Sequence, residues 1–168
     1  NRKNILEKIS SSKDIGSYIT LTLRDYGYAP ERNTTSKDVM IAYDFANLIG
    51  AKLVIIPDNK NKLMNYSIPS SAVISTAARE NIYYRISLYR YSEVNLFVPA
   101  GPAALSLFIN QTKTIILKYG LSNSFDASAK FYQKEYKIKV NDQPYMAFNG
   151  YVIWYEENKY GANQVAQI

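Results

Sequence analysis

The fold is decided by the stretch Tyr18–Pro57, which reads YITLTLRDYGYAPERNTTSKDVMIAYDFANLIGAKLVIIP. Residues 18–23 are β-branched, aromatic and aliphatic, which is typical of a strand. Thr35 followed by Asp38 resembles a capping box in which Asp stands in the place of Glu. The spacing of the next apolar residues predicts a helix with one apolar face, made of Val39, Ala42, Tyr43, Ala46 and Ile49.

A second strand completes this unit. Gly50 ends the predicted helix, because glycine adopts the left-handed backbone geometry of a helix C-terminus. Residues 53–56 form a continuous apolar run that stops at Pro57, which indicates a parallel strand covered on both faces. The whole stretch therefore predicts a βαβ unit with a right-handed crossover.

The rest of the chain continues the alternation of strands and helices. Further strands are predicted at Val73–Ser75, Val94–Val98 and Thr114–Leu117, and further helices at Ala77–Tyr91 and Ala103–Phe108. The pattern leaves Tyr132–Val140 open between helix and strand, and it assigns no structure to Tyr151–Tyr155. We expect an α/β fold, a Rossmann-like three-layer sandwich with a mainly parallel sheet. Residues 1–16 are expected to form a helix or linker, and residues 17–168 a single domain.

Composition limits the chemistry of any site. The 168 residues include no cysteine and no histidine, so disulfides, thiolate metal sites, a cysteine nucleophile and a histidine base are excluded. We predict neither a metal nor a cofactor. The net charge of +6 indicates an anionic partner or a solvated basic surface. The longest apolar stretch, Leu96–Ile109, is too short to span a bilayer, and with no signal peptide visible we expect a cytoplasmic protein.

Parallel sheets bind ligands outside the carboxyl ends of their strands. The loops after Leu23, Ile56, Val98 and Leu117 should therefore share one edge of the sheet, which we name the rim. Polar, basic and turn residues on or near the rim are the candidate substrate-binding residues: Arg24, Arg32, Asn33, Asp58, Arg85, Tyr89, Ala100, Gly101, Pro102 and Lys118.

The candidates differ in how directly their chemistry points to a ligand. Arg24 offers a planar fork to a phosphate, or else an ion pair to Asp25. Asp58 could bond a ribose hydroxyl, cap a turn or act as a base. Lys118 supplies a point charge to a phosphate or is simply solvated. Arg85 lies four residues from Tyr89, hence on the same side of a helix. Either both residues face a ligand, or the tyrosine packs in the core and the arginine is solvated.

The turn Pro99–Pro102 joins a buried strand to a helix start. Gly101 lets a ligand approach the backbone, and the first N–H groups of the helix attract anions. Pro102 suits a first helical turn, although it removes one donor. The turn has neither the Lys-Ser/Thr pair of a Walker loop nor a Gly-x-Gly-x-x-Gly motif, so an ordinary strand-to-helix connection is the alternative.

Several of these segments resemble the nucleotide-sugar half of GT-B-type glycosyltransferases, heptosyltransferase-like or of the polysaccharide-biosynthesis type. The resemblance is carried by Leu96–Leu105 (LFVPAGPAAL), Thr114–Lys118 (TIILK), Ile19–Asp25 (ITLTLRD), Pro30–Asn33 (PERN), and Arg85 with Tyr89. It covers about residues 18–118. Heptosyltransferases usually carry Asp-Thr before the Gly-Pro and a His soon after, whereas here Pro99 and Ala100 precede Gly101 and there is no histidine.

The resemblance implies the donor-binding domain of a metal-independent glycosyltransferase. Arg24, Lys118 and the helix start at Gly101 would stabilise a departing nucleoside diphosphate, and Asp58 would contact the nucleoside. An N-terminal acceptor domain, outside these 168 residues, is expected to complete a larger two-domain protein. No catalytic residue is assigned, and enzymatic activity depends on that larger protein.

Two other functions fit parts of the same sequence. The basic charge and the sixteen tyrosines fit a non-catalytic binding module for an anionic polymer, either a glycan or a nucleic acid whose bases would stack on the rings. No RNP, zinc-finger or helix-turn-helix signature accompanies them, which disfavours nucleic acid. A nucleotide-sugar epimerase, which shares the fold, is the third alternative.

Overall fold

A computed structural model describes residues 15–58, 60–109, 113–120, 128–139, 150–154 and 165. The strands are β1 (Tyr18–Thr22), β2 (Lys52–Ile56), β3 (Val73–Ile74), β4 (Asn95–Phe97), β5 (Thr114–Tyr119) and β6 (Gly150–Trp154). The helices are α1 (Ser36–Leu48), α2 (Thr76–Glu80), α3 (Ile82–Tyr91), α4 (Gly101–Leu107) and α5 (Ala129–Tyr136). Short 3-10 turns at Pro30–Arg32 and Lys60–Asn65 interrupt two of the loops.

These strands form one sheet in the order β3-β2-β1-β4-β5-β6. Every pairing between neighbouring strands is parallel. β1 lies inside the sheet, with Leu21 opposite Ile55 of β2 on one side and Leu96 of β4 on the other. The predicted βαβ unit and the predicted Rossmann-like fold are both confirmed.

Alternation along the strands produces two cores, one on each face of the sheet. Ile19 and Leu21 of β1 face α1 and pack with its Val39 and Phe45. Residues of opposite parity, such as Val54 and Ile56 of β2, face the other side and pack with Leu88, Tyr89, Phe97 and Ala103. Because both faces are covered, β1 and β4 are buried along their length, and the molecule has the three layers that the sequence predicts.

The first helix confirms its predicted start. The Thr35 hydroxyl accepts from the Asp38 N–H, and the Asp38 carboxylate accepts from the Thr35 N–H at 2.7 Å, so the capping box is complete. Gly50, at φ 68°, follows the helix end. The buried face is wider than the predicted one, because Ile41 and Phe45 join it while Ile49 is exposed.

The predicted continuous helix over Ala77–Tyr91 is wrong, because the chain breaks at Asn81 into α2 and α3. Asn81 has an extended backbone (φ −129°, ψ 112°), and its side-chain oxygen accepts from the N–H groups of Tyr83 and Tyr84. Asparagine is a strong N-cap, and this local bond competes with helix continuation. Ile82, the first residue of α3 after the break, is exposed.

Two boundaries near the rim also differ from the sequence prediction. The strand predicted to end at Leu117 continues to Tyr119, so Lys118 lies within β5 rather than after it. The helix predicted from Ala103 begins at Gly101. Both shifts involve two residues, the usual size of an error in locating the end of an element.

The later segments resolve as one helix and one strand. Most of Tyr132–Val140, left open by the sequence, belongs to α5 and the three residues after it, and Tyr151–Trp154 belongs to β6. The N-terminal helix or linker falls on residues that lie almost wholly outside the described part of the chain, so that prediction stays untested. Within the described ranges, no helix combines the length and apolar character needed to cross a membrane.

Asn81 offers a test of the helix break. Asn81→Ala removes the acceptor for two N–H groups, and we expect the free energy of unfolding to fall by about 0.5–2 kcal/mol. Asn81→Asp keeps a capping oxygen and should be nearly neutral. Urea denaturation measures both variants. A more stable Asn81→Ala variant would mean that α2 and α3 gain from fusing into one helix.

Candidate functional site

The order of the strands reverses between β1 and β4. In open parallel sheets the crevice beside such a reversal, at the carboxyl ends of the strands, is where ligands bind. Here the β1–α1 loop, residues 23–35, forms one side of that crevice. The turn from β4 to α4, residues 98–101, forms the other.

Arg24 organises the β1–α1 loop from within. The residue is only 8% exposed. Its guanidinium donates to the carbonyl oxygen of Tyr28 at 2.5 Å, to that of Ala29 at 2.9 Å, and to the side-chain oxygen of Asn33. Its backbone pairs with Thr34 through Arg24 N–H to the hydroxyl at 2.8 Å and Thr34 N–H to the Arg24 carbonyl at 2.9 Å. The two ends of the loop are therefore joined by the Arg24–Thr34 hydrogen bonds, and the Arg24 guanidinium binds the residues between them.

Asn33 clamps the same loop from its other end. Its side-chain oxygen accepts from the Tyr26 N–H at 3.1 Å, and its side-chain N–H donates to the Tyr26 carbonyl at 3.0 Å. Tyr26 itself presents a ring that is 63% exposed, with the Arg24 guanidinium carbon 5.9 Å from the ring centroid. Both polar atoms of the Asn33 side chain are therefore hydrogen-bonded to the backbone of the loop.

Arg32 crosses the crevice. Its guanidinium donates two hydrogen bonds to the Pro99 carbonyl oxygen, at 3.1 Å from Nε and 2.8 Å from a terminal nitrogen. The short turn Pro30–Arg32 carries Arg32 to this position. The two segments that the sequence predicts on one rim are thus in direct contact at the point where the strand order reverses.

The turn after β4 is open on its outer side. Ala100 is extended, Gly101 begins α4, and Pro102 stands in the first helical turn as predicted. A methyl group added at Gly101 would meet no atom of the described residues within 4 Å, apart from its chain neighbours and the backbone of its own helix. The backbone at Gly101 therefore borders open space among the residues that the structure describes.

Lys118 is turned inward by an irregularity in β5. Its backbone is left-handed (φ 55°), and the β5–β6 register shifts between Ile116 and Tyr119. Ile116 and Tyr119 pack in the same core although their odd separation should place them on opposite faces. Lys118 is thus the extra residue of a bulge, a device that re-aims side chains.

The Lys118 ammonium lies between α1 and the loop before it. Its Nζ is 2.5 Å from a carboxylate oxygen of Asp38, whose side chain is fully buried, and it donates to the Asn33 carbonyl oxygen at 2.9 Å. The same carboxylate completes the capping box of α1. One buried charge pair therefore ties the end of β5 to the helix start and to the β1–α1 loop.

Asp58 connects the β1–α1 loop with the segment after β3. Its carboxylate accepts from the Asp25 N–H at 3.1 Å, and its backbone carbonyl accepts from Arg79 Nε at 2.7 Å. The Asp58 side chain is otherwise on the exposed side of the rim. Burial, together with the charges of Asp25, Asp58 and Asp38, raises the pKa of half-buried Tyr66 to about 12.

Arg85 and Tyr89 lie on the other face of the sheet. Arg85 Nε donates to the Ala78 carbonyl at 2.8 Å and so caps the end of α2. Tyr89 is fully buried, and its hydroxyl is 2.7 Å from that of Thr22, at the end of β1. Burial raises the pKa of Tyr89 to about 12, so the hydroxyl is neutral at physiological pH.

The structure thus divides the predicted residues into three sets. Seven lie in the segments that border the crevice, next to them or bonded to them, although the side chains of Arg24 and Lys118 are buried: Arg24, Arg32, Asn33, Ala100, Gly101, Pro102 and Lys118. Asp58 borders it through Asp25, whereas Arg85 and Tyr89 contact helix and core groups instead. Within the described part of the chain, no group of three or more acidic side chains is arranged to hold a metal ion.

Sequence reasoning missed three residues that shape this site: Asp38, Tyr66 and Arg79. The capping box identified Asp38 as a helix cap, but nothing local indicates its pairing with a lysine in the distant strand β5. Arg79 lies in the helix predicted over Ala77–Tyr91, where the sequence gives no sign of its contact with Asp58. Tyr66 lies in a polar loop, where the sequence gives no sign of burial.

The strand order defines a Rossmann-type α/β domain whose switch point lies between β1 and β4. No family model matches the sequence, and no curated protein matches it. Among solved structures, the chain is similar to the crystal structure of the glycosyl transferase family 9 from Veillonella parvula DSM 2008. The TM-score is 0.61 at 16% identity, over 99% of this chain and 49% of that one. The likeness shows the fold, and this chain spans about half the length of that protein.

The buried charge pair yields a stability prediction. Lys118→Met leaves the Asp38 carboxylate buried without the lysine charge, and we expect the free energy of unfolding to fall by about 3–5 kcal/mol. Lys113→Met, at an exposed lysine before the same strand, is the control and should change it by less than about 0.5 kcal/mol.

Urea denaturation measures both variants, together with the double variant Asp38→Asn, Lys118→Met. The double variant should recover part of the loss, because Asn keeps an oxygen for the capping box while removing the buried charge. A Lys118→Met loss no larger than that of the control would contradict a stabilising link between β5 and α1.

Proposed function

We propose that this chain is the donor-binding domain of a metal-independent glycosyltransferase, and that it binds the diphosphate of a nucleotide sugar in the crevice. The observation that carries the proposal is Arg32, whose guanidinium is anchored on the Pro99 carbonyl at the switch point of the sheet. The similarity in fold to a family 9 glycosyl transferase supports it.

A guanidinium suits this role because its planar array of donors matches the paired oxygens of a phosphate. The anchor on Pro99 fixes its position before a ligand arrives, which lowers the entropy cost of binding. Gly101 lies two residues from Pro99 and leaves the backbone open to close approach. In the reaction, negative charge grows on the departing nucleoside diphosphate, and Arg32 would stabilise that charge electrostatically.

The remaining parts of the reaction belong to other groups. Asp58, exposed beside the crevice, is proposed to contact the nucleoside, where its carboxylate can accept from a ribose hydroxyl. An acceptor-binding domain outside these 168 residues would supply the acceptor and the base. The proposal includes a cytoplasmic location for the protein.

The alternative, a binding module for an anionic polymer, has its own support. The net charge is +6, and Tyr26, Tyr28 and Tyr83 are each 63% exposed. Against it, the Arg24 and Lys118 cations are buried and bonded within the protein. Such a module would bind oligonucleotides or anionic glycans with an affinity that falls steeply with salt.

Calorimetric titration of the chain with ADP, GDP and UDP, and with the corresponding nucleosides, tests the proposal. We expect at least one diphosphate to bind and its nucleoside to bind much more weakly. Arg32→Ala should reduce the affinity by about tenfold or more, since a charge-assisted hydrogen bond is lost. Arg90→Ala, at an exposed arginine in the last turn of α3, is the control and should bind normally. Binding unchanged in Arg32→Ala, or binding only to polymers, would overturn the proposal.

A second variant probes the open side of the turn. Gly101→Ala adds a methyl group that meets no described residue outside its own turn, and alanine is the better helix former, so stability should be unchanged or rise by up to about 1 kcal/mol. The methyl group would occupy the space through which a diphosphate approaches the backbone, so affinity should fall. Urea denaturation and the same titration measure the two effects. Normal affinity in a stable Gly101→Ala protein would place the ligand elsewhere.

A further inference from the structure

Arg24 follows a strand end directly, where its charge would ordinarily suggest contact with an anion. Its surroundings point to another use. Within the described part of the chain, its guanidinium donates to three acceptors of the β1–α1 loop: two carbonyl oxygens and the side-chain oxygen of Asn33. The residue is 8% exposed, so the side chain lies under the loop rather than facing the crevice.

We propose that Arg24 is a positioning residue that acts on the ligand through Arg32. It fixes the loop in the one shape that places the Arg32 guanidinium on the Pro99 carbonyl, and it makes no contact with the phosphate itself. The inference rests on the proposed function for the role of Arg32, while the ordering of the loop by Arg24 stands independently of any ligand.

The connection between the two arginines runs through Ala29. Ala29 has a left-handed backbone (φ 51°, ψ 62°), a conformation that strains an L-residue with a side chain. Arg24 donates to its carbonyl oxygen and so holds it there. Ala29 in turn starts the short turn Pro30–Arg32, in which the Arg32 N–H donates to the Ala29 carbonyl at 3.1 Å.

Asn33 closes the other end of this connection. Its backbone N–H donates to the Pro30 carbonyl at 2.9 Å and so stabilises the turn. Its side-chain oxygen accepts from Arg24, and its side-chain amide makes two hydrogen bonds with the Tyr26 backbone. Loss of the Arg24 guanidinium would release the turn at both ends. Ligand binding by Arg32 would then have to order the loop as well, and the entropy lost in that ordering would lower the affinity.

The chemistry of arginine separates positioning from direct binding. A lysine at residue 24 would keep the positive charge, so it would retain much of a direct phosphate contact. A lysine ammonium lacks the planar fork of donors that reaches three separate acceptors, so it would not hold the loop. Arg24→Lys is therefore the decisive variant, and Arg90→Lys, at an exposed site on α3, is its matched control.

The first experiment needs no ligand. Amide hydrogen exchange is measured on the full chain for the loop amides of Tyr26, Arg32 and Asn33, with the amides of β2 as the reference. We expect Arg24→Lys and Asn33→Ala to accelerate the loop amides by about tenfold or more relative to β2, because the loop opens locally. Arg32→Ala and Arg90→Lys should leave the loop amides as they are. Unchanged loop exchange in Arg24→Lys would overturn the inference.

The second experiment uses whichever of ADP, GDP and UDP binds the unmodified chain most tightly. Arg24→Lys should lose affinity although its charge is kept, and Asn33→Ala should lose a similar factor although it changes no charge. Adding Arg24→Lys to Arg32→Ala should cause little further loss, because one residue acts through the other.

The outcomes separate the two proposals. Near-normal affinity in Arg24→Lys would mean that binding does not depend on the loop contacts of Arg24, and losses that multiply in the double variant would mean that Arg24 contacts the ligand directly. Either result overturns the inference while the proposed function survives. If no nucleoside diphosphate binds the unmodified chain, the proposed function fails, and the exchange experiment alone decides whether Arg24 orders the loop.

Discussion

A lysine ammonium buried against an aspartate carboxylate joins three parts of this molecule that are distant in sequence. Lys118 belongs to β5, Asp38 to the first turn of α1, and the second acceptor of the lysine, the Asn33 carbonyl, to the loop before that helix. The pair costs desolvation, which good geometry and further hydrogen bonds must offset. Here the carboxylate also accepts a hydrogen bond from the Thr35 N–H at the start of α1, and the ammonium also donates to the Asn33 carbonyl oxygen. Each charged group therefore has a second hydrogen-bond partner. The shape of the rim depends on this arrangement.

Local patterns were sufficient to predict the frame of the fold. The βαβ unit, the capping box at Thr35 and Asp38 and the parallel sheet all follow from periodicities and motifs within a few residues of one another. The helix break at Asn81 was missed because apolar spacing continued across it. Its capping chemistry, an asparagine ahead of two aromatic residues, was the available signal.

The site was harder to predict than the frame. Topology placed Arg32 and the Pro99 turn on one rim, and their contact agrees with that placement. Sequence could not show which cations face outward. Burial of Arg24 depends on how the loop that follows it folds back over its side chain, and burial of Lys118 depends on acceptors far away in the chain. Lys118 is the clearest case, since its direction is set by a bulge in β5, and the surrounding apolar run gives no hint of one.

The central place of β1 has a kinetic consequence. Its partner β2 follows after one helix, whereas its other partner, β4, arrives only after β3, α2 and α3 have been traversed. Pairing of β1 with β2 closes a short loop, and pairing with β4 closes a longer one at a greater entropic cost. The first βαβ unit is thus suited to form early, with the crevice appearing only as β4 docks. Folding speed should be governed by that second, non-local event.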